Sequence, residues 1–216
     1  TLWFPKVGSI RSDYEDIGSR LSGISPLNVV VSATNDRDAS SSEAVAAIDA
    51  LASYAVGLPD VGKVLSVADP LRQLHGGFLA DSTQPLPETS AEIAQYLLLL
   101  ESVEPLGDVL DPSHRVANIL IRANNNGSEH LLSIAADVQR WWRQHGIEGF
   151  EARTTGIMYE FARAQHEIAF GQLEGLGWDI ATISVLLLVV FRRLRILAIA
   201  IIPNLVPVIG AFGVLG

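Results

Sequence analysis

The first part of the chain alternates between short β-branched runs and helical apolar stripes. Leu27–Ala33 contains Val29-Val30-Val31, which is typical of a buried strand, and Lys63–Val67 predicts a second strand. Ser40–Glu43 predicts a capping box at the start of a helix between these strands. The predicted apolar face of that helix contains Ala44, Ile48, Leu51 and Ala55. This region is therefore predicted to be a strand–helix–strand unit.

The same pattern recurs later in the chain. Val116–Ile121 predicts a strand, Glu129–His145 predicts a helix, and Phe150–Thr155 predicts a further strand. Between the two units, Thr89 and Glu92 predict a capping box for a helix over residues 90–102, and the leucines at 97–100 predict burial on more than one face. Two strand–helix–strand units predict an α+β domain over residues 1–156, with a ferredoxin-like split β-α-β arrangement and helices on one face of an antiparallel sheet.

The C-terminal part is apolar in two stretches. Ile180–Phe191 and Ile196–Gly216 contain no charged residue, and an arginine-rich turn at residues 192–195 separates them. About 20 apolar residues span a bilayer as a helix. We therefore predict a connecting helix over residues 157–177 and two transmembrane helices over residues 178–216. The predicted apolar stripe of the connecting helix contains Ile157, Phe161, Ala164 and Ile168.

Charge predicts the orientation in the membrane. The chain has a net charge of −9, and three of its 15 basic residues are Arg192, Arg193 and Arg195. Arginines cluster on the cytoplasmic side of membrane segments, so this turn is predicted to be cytoplasmic and the acidic N-terminal domain to lie on the other side. An acidic surface also argues against nucleic-acid binding. The absence of cysteine excludes little for a domain of this size.

Candidate chemistry is sparse. The five histidines show no metal-ligand spacing, and no phosphate-binding glycine loop follows a strand. Asp111, Ser113 and His114 are close in sequence, but a hydrolytic triad depends on spatial geometry and an oxyanion hole. The sequence therefore predicts neither an enzyme nor a metal or cofactor site.

Proline, glycine and acidic residues mark the apolar stretches. Pro203 and Pro207 remove backbone donors, so they predict a kink that Asn204 and its neighbours satisfy or a hinge for rocking motions. Gly210 and Gly213 allow close helix packing. Asp179 lies beside Trp178, which predicts a position at the lipid headgroups, although an acid inside the membrane would be functional.

These motifs resemble the resistance-nodulation-division (RND) superfamily, and within it the lipid and hydrophobe exporters of the MMPL-type, Patched-like branch. The resemblance lies in the Phe191–Arg195 turn, in Ile202-Pro203-Asn204 followed by Pro207, and in the glycine-rich steps over residues 210–216. The Thr155-Gly156 pair that ends the last predicted strand also matches. The resemblance implies a fragment that contains a first extracytoplasmic, porter-type domain and the second and third transmembrane helices.

The resemblance implies part of a proton-driven secondary-active exporter in a bacterial inner membrane, with a hydrophobic or lipid cargo and a homo-oligomeric assembly. The proton-relay residues would lie beyond Gly216. A membrane-anchored assembly or protein-export accessory subunit with the same architecture is the alternative. Four aromatic residues are candidates for a substrate path, with membership of the core as the alternative: Trp3, Phe4, Phe78 and Phe161.

Overall fold

The computed structural model describes residues 13, 16–18, 20, 22–34, 36–80, 83, 85–100, 106–192 and 210. It divides the chain into two compact units, Thr1–Ala164 and Gln165–Gly216. The elements in chain order are β1 (Ser25–Ala33), α1 (Ser42–Val56), β2 (Val61–Leu65), α2 (Ala68–Leu79), α3 (Ser90–Leu100), α4 (Leu106–Val109), β3 (Val116–Ala123), α5 (Ser128–His145), β4 (Phe150–Thr155) and α6 (Ile157–Phe191).

The four strands form one antiparallel sheet in the order β2-β3-β1-β4. The central pair is β1 with β3, in a register that places Val29 opposite Ile119. Helix α1 connects β1 to β2, and α5 connects β3 to β4, so each strand–helix–strand unit passes over one strand of the other unit. The predicted α+β class and the long apolar C-terminal helix are confirmed.

One face of the sheet is covered by α1 and α5. Successive side chains of a strand point to opposite faces, and in β3 the residues Ala117, Ile119 and Ile121 are buried while their neighbours are partly exposed. Trp142 of α5 donates its indole N–H to the Phe150 carbonyl at 3.3 Å, which joins this helix to β4. The buried residues of α1 are Ala44, Val45, Ile48, Leu51, Ala52 and Ala55, and they include the whole predicted apolar stripe.

The two predicted capping boxes have different outcomes. Thr89 and Glu92 form the complete box, because the Glu92 N–H donates to the Thr89 hydroxyl at 3.2 Å and the Thr89 N–H donates to the Glu92 carboxylate at 3.1 Å. The predicted box at Ser40–Glu43 is wrong. Ser41 caps α1 by accepting from the Ala44 N–H, and the carboxylate of Glu43 contacts Arg37 at 3.5 Å instead.

Two further expectations are wrong: the bounds of β2 and the burial of the four leucines of α3. Strand β2 lies two residues earlier than predicted, because the N–H of Ser66 donates to Asp69 at the start of α2. Of the leucines at 97–100, only Leu97 is buried, whereas Leu98 and Leu99 are more than half exposed. Helix α3 has 11 residues and packs along one side only. The two residues that follow Leu97 in sequence therefore lie on its outer surface.

Helix α6 continues without a break through Gly171, Gly175 and Gly177. The predicted apolar stripe at its start is not buried: Ile157 and Phe161 are exposed, and Ala162 is the residue that reaches the core. Ala164 and Ile168 are also exposed.

Among the described residues, Ile157–Val190 is the one helical stretch long and apolar enough to cross a membrane, with a mean hydropathy of 1.8 in its most apolar window. None of that window is buried inside the structure. Length and composition therefore permit a membrane span here. The predicted second transmembrane helix lies outside the described residues except for Gly210, as do Arg193, Arg195, Pro203, Asn204, Pro207 and Gly213.

Candidate binding cleft on the open face of the sheet

The face of the sheet opposite α1 and α5 contains a cleft of about 820 Å³. Ligand pockets in proteins commonly have volumes between about 300 and 1,000 Å³. The cleft is lined by residues from three of the four strands, β1, β2 and β3, and from the segment that contains helices α2, α3 and α4: Asn28, Lys63, Leu65, Ser66, Asp69, Pro70, Gln73, Leu100, Leu106, Asp108, Val109, Asn118, Leu120 and Arg122.

Strand β3 supplies the floor of the cleft. Its residues Asn118, Leu120 and Arg122 are two positions apart, so they share the open face, whereas the residues between them are in the core. The antiparallel register places Leu65 of β2 opposite Leu120 and Lys63 of β2 opposite Arg122. The alternation that builds the core therefore also brings these polar and basic side chains together.

Two cations meet at one end of the floor. Lys63 and Arg122 are register partners on the open face, and residues directly opposite each other on antiparallel strands have Cβ atoms about 5 Å apart. Like charges in this position are destabilising. Lys63 and Arg122 therefore repel each other across the two strands.

Amide groups occupy the other end of the floor. The side chain of Asn118 donates to the Asn28 side-chain oxygen at 3.3 Å and to the Asp108 carbonyl at 2.9 Å. Its own Oδ1 is buried and has no hydrogen-bond partner within the part of the chain that the structure describes. A buried acceptor without a donor is costly, so this oxygen is a potential contact for a ligand hydroxyl or a water molecule.

The walls of the cleft come from the connection between β2 and β3. The Asp69 carboxylate, in the first turn of α2, accepts the Ser66 N–H at 2.6 Å and the Ser66 hydroxyl at 3.3 Å. Its charge is therefore committed to the helix N-terminus, where an acid is favourable. Leu106 and Val109 of α4 add apolar side chains to the lining of the cleft.

Two of the aromatic residues predicted to line a substrate path, Phe78 and Phe161, are not among the residues that line this cleft. Phe78 is 66% exposed and stacks on Tyr96 with ring centroids 5.7 Å apart, while Phe161 is 53% exposed at the start of α6. Trp3 and Phe4 lie outside the described residues. Their role in a substrate path stays a prediction.

The Asp111–His114 segment is a structural turn. The hydroxyl of Ser113 donates to Asp111, whose other oxygen accepts the N–H groups of Arg115 at 2.8 Å and Val116 at 2.7 Å. Burial raises the pKa of Asp111, but these hydrogen bonds outweigh it and leave the pKa below its ordinary value. The Ser113 proton is thus directed to an acid rather than to a histidine base, which is not the arrangement of a hydrolytic triad.

His75 and Glu92 also have partners within the domain. His75 is buried between α2 and α3, where its Nδ1 lies 3.0 Å from the Tyr96 hydroxyl. The N–H and hydroxyl of Thr89 hold the pKa of Glu92 below its ordinary value. Among the described residues, no group of three or more histidines and acids is placed to bind a metal ion.

Comparison with known proteins adds no assignment. No protein-family model matches the chain, and no curated protein matches it either. The open-face cleft and the exposed helix α6 are therefore the features that bear on function.

The cleft residues were not among those singled out from sequence. The missing signal is the period of two in the strands: Val116–Ala123 places valine, asparagine, leucine and arginine on one face and alanine and isoleucine on the other. Asparagine and arginine on one face, against only alanine and isoleucine on the other, indicate that the first face is not buried in the core. The pairing of Lys63 with Arg122 required the strand register, which the sequence does not give.

Proposed function

We propose that the protein is part of a proton-driven secondary-active exporter of lipids or other hydrophobic compounds, of the RND superfamily. In this proposal the α+β unit is an extracytoplasmic, porter-type domain that belongs to the substrate path. The proposal also includes two transmembrane helices, a cytoplasmic turn at residues 192–195 and a location in the bacterial inner membrane. The hydrophobic cargo and a homo-oligomeric assembly complete it.

The sheet supports the porter-type domain. Two strand–helix–strand units that interleave to give the order β2-β3-β1-β4, with antiparallel neighbours throughout, match the split β-α-β arrangement. The connection from β2 to β3 is longer than a hairpin and contains α2, α3 and α4. Because this connection forms the walls of the cleft, it adds a binding surface to the basic arrangement.

The observation that carries the proposal is the exposure of α6. Trp178, Val185 and Val189 are each more than 60% exposed, although they belong to the one described helix that is long and apolar enough to cross a membrane. A surface of this kind is unfavourable in water but is the expected surface of a helix in lipid. The basic turn and the paired prolines that follow in sequence then give the resemblance its specificity.

A matched pair of substitutions tests whether α6 spans the membrane. Val185→Asp places a carboxylate in the apolar half of the helix, where insertion costs about 3 kcal/mol, whereas Gln172→Asp adds the same charge in the predicted connecting segment. We expect only the Val185 variant to lose carbonate-resistant membrane association of the chain. Equal behaviour of the two variants would contradict a span over this part of α6.

Cysteine labelling tests the orientation, because the chain contains no cysteine of its own. Glu129→Cys, at an exposed position in α5, is expected to react with a membrane-impermeant thiol reagent in intact cells. Leu194→Cys is expected to react only after permeabilisation. Labelling of both cysteines in intact cells, or of Leu194→Cys alone, would overturn the proposed topology.

Transport distinguishes the exporter from the alternative of an accessory subunit. Membrane vesicles containing the intact parent protein should move a hydrophobic fluorescent probe when a proton gradient is imposed, and a protonophore should stop the movement. Export that requires a second transporter in the same vesicles would favour the accessory role.

A further inference from the structure

The two outer strands of the sheet have different free edges. Strand β2 has five residues, contains Lys63, and has a register shift between Val61 and Lys63. Short length, a lysine and irregular pairing are devices that keep an edge strand from pairing with another chain. Strand β4 has six residues, contains no lysine or proline, and pairs with β1 in a regular register. No further strand pairs with β4 among the residues that the structure describes, so its edge is open to a partner strand.

The main-chain groups on the outer side of β4 belong to alternate residues. The Thr34 N–H donates to the Gly149 carbonyl of the β4 segment at 2.9 Å, whereas the Ala33 N–H donates to the Arg115 carbonyl on the other side of β1. Hydrogen-bonded pairs alternate along an antiparallel ladder, so the odd-numbered residues of β4 bond to β1. The main-chain groups of the even-numbered residues are directed to the open edge: Phe150, Ala152 and Thr154.

The charged side chains of β4 make this edge complementary to itself. Glu151 and Arg153 lie on the open face of the sheet, one on each side of Ala152. In an antiparallel pairing of two copies about a two-fold axis at Ala152, Glu151 of each copy lies opposite Arg153 of the other. This is a non-hydrogen-bonded position, where facing side chains are closest. The two neighbouring registers would place glutamate opposite glutamate or arginine opposite arginine, so charge selects one register.

The ion pair within one chain is compatible with this pairing. Arg153 and Glu151 are 3.0 Å apart, and their side chains are 77% and 53% exposed. An exposed ion pair contributes little to stability. When two edges pair, each charge keeps its partner and gains a second one of opposite sign from the other copy. Four charges of alternating sign then replace two separate pairs.

The start of α6 adds apolar surface directly after this edge strand in the chain. Ile157 is 80% exposed and Phe161 is 53% exposed, and their spacing of four residues places them on one side of the helix. Both belong to the unit Thr1–Ala164 and to the segment that is proposed to lie outside the membrane. Interfaces between protein subunits contain apolar side chains as well as hydrogen bonds, and these two residues supply them beside the edge.

We propose that β4 is the contact between two copies of this chain. The two β4 strands pair antiparallel with Ala152 at the two-fold axis, and they join two four-stranded sheets into one. The proposal names the contact of the homo-oligomeric assembly and rests on that part of the proposed function, but it does not depend on export. Two copies held in one membrane have a high effective concentration, so a contact of small area is sufficient.

Cysteine cross-linking of the full chain in isolated membranes tests the register. Two differently tagged copies, E151C and R153C, are produced together, so that the cysteines face each other on one side of the axis and Arg153 faces Glu151 on the other. We expect oxidation to give about tenfold more mixed disulfide than either variant gives alone, because like cysteines would be about 8 Å apart and beyond disulfide reach. Absence of the mixed disulfide, or equal cross-linking of all three combinations, would overturn the proposal.

Charge reversal tests the complementarity. E151R alone or R153E alone places like charges opposite each other and should reduce co-purification of two tagged copies about tenfold. A mixture of E151R copies with R153E copies should restore it, although each copy still lacks its own ion pair. E129R, at an exposed position of α5, is the matched control and should change nothing. Failure of the mixture to restore co-purification would contradict pairing through these charges.

The outcomes separate this contact from the exporter proposal. The mixed disulfide together with rescue by the E151R and R153E mixture would support the contact, even if the parent protein exports nothing. Export of a hydrophobic probe without the mixed disulfide would overturn the contact and leave the exporter proposal standing. A different protein paired with β4 would also prevent the disulfide, and that result would equally overturn the proposal.

Discussion

The two faces of the sheet are built from the same four strands but have opposite chemistry. On the covered face Val29, Ile119 and Ile121 are at most 1% exposed and belong to the hydrophobic core cluster. On the open face the intervening residues Asn118, Leu120 and Arg122 are all partly exposed and line a cleft. One face therefore determines the stability of the domain, and the other is available for recognition. The two roles are separate because neighbouring residues of a strand point to opposite faces of the sheet.

The strongest test of this comparison uses two adjacent residues of β3. Ile119→Ala should lower the free energy of unfolding by about 2–5 kcal/mol, because it leaves a cavity in the core. Leu120→Ala should lower it by about 1 kcal/mol or less, because that side chain is already partly in solvent. Urea unfolding followed by tryptophan fluorescence measures both. Equal losses would show that the open face is packed as a second core.

The next effect concerns the register of β3, on which the assignment of residues to faces depends. Asp111 accepts the N–H groups of Arg115 and Val116 at the start of the strand, and a slip by one residue would exchange the two faces. Asp111→Asn should cost about 1.5 kcal/mol, because hydrogen bonds to a charged acceptor are lost or weakened. Hydrogen exchange of the β3 amides measures the loss.

The contribution of Asp111 should also depend on pH with a defined sign. Its pKa is lower in the folded protein than the ordinary value of 3.8, so its stabilisation is present above that value and is lost as the pH falls through the folded pKa. The difference in stability between wild type and Asp111→Asn should therefore be constant near neutral pH and shrink below pH 3.8. A difference that grows in acid would contradict this account.

A smaller effect, an increase in the free energy of unfolding, is expected for one of two adjacent threonines of β4. The hydroxyl of Thr154 is buried on the covered face and has no hydrogen-bond partner among the described residues, whereas Thr155 lies on the open face and is partly exposed. Thr154→Val should raise the free energy of unfolding by about 1 kcal/mol, because it removes an unsatisfied polar group. Thr155→Val should change it little. Thermal unfolding of the two variants is the measurement, and a destabilised Thr154→Val would indicate a partner for this hydroxyl.

The smallest effect concerns the cations of the open face. Lys63→Gln should raise stability by a few tenths of a kcal/mol at low salt, because it removes repulsion from Arg122, and the gain should shrink in high salt. Arg153→Gln is the control, because Arg153 pairs with the acid Glu151 at 3.0 Å and its removal relieves no repulsion between cations. A loss of stability on Lys63→Gln would mean that the lysine packs or pairs in a way that outweighs the repulsion.

Much of the fold was predictable from the sequence because strands and helices differ in the spacing of their apolar residues. The helical stripe of α1 and the bounds of β4 match the structure, and α5 begins one residue earlier than predicted. The end of β2 was not predictable from apolar residues alone, since Val67 continues the β-branched pattern of the strand but is the N-cap of α2. Similarly, four consecutive leucines do not specify how many sides of α3 are covered by neighbours.

The cleft was less predictable than the fold. Its polar residues come from three strands and from the connection between β2 and β3, so their proximity depends on strand order and register. The sequence contains the alternation within β3 but not the pairing of Lys63 with Arg122. Aromatic residues had been the more visible candidates, and the structure places Phe78 and Phe161 away from the cleft lining.

The strand order also has a consequence for folding during synthesis. The two central strands are far apart in the chain, as the contact between Asn28 and Asn118 spans 90 residues, and β1 forms its other pairing only when β4 is available. Contacts of high sequence separation slow folding because the loop must close before the contacts form. A nascent chain that ends before β3 has no partner for β1 in this sheet. We therefore expect chaperone protection of β1 to matter most while residues 34–115 are being made.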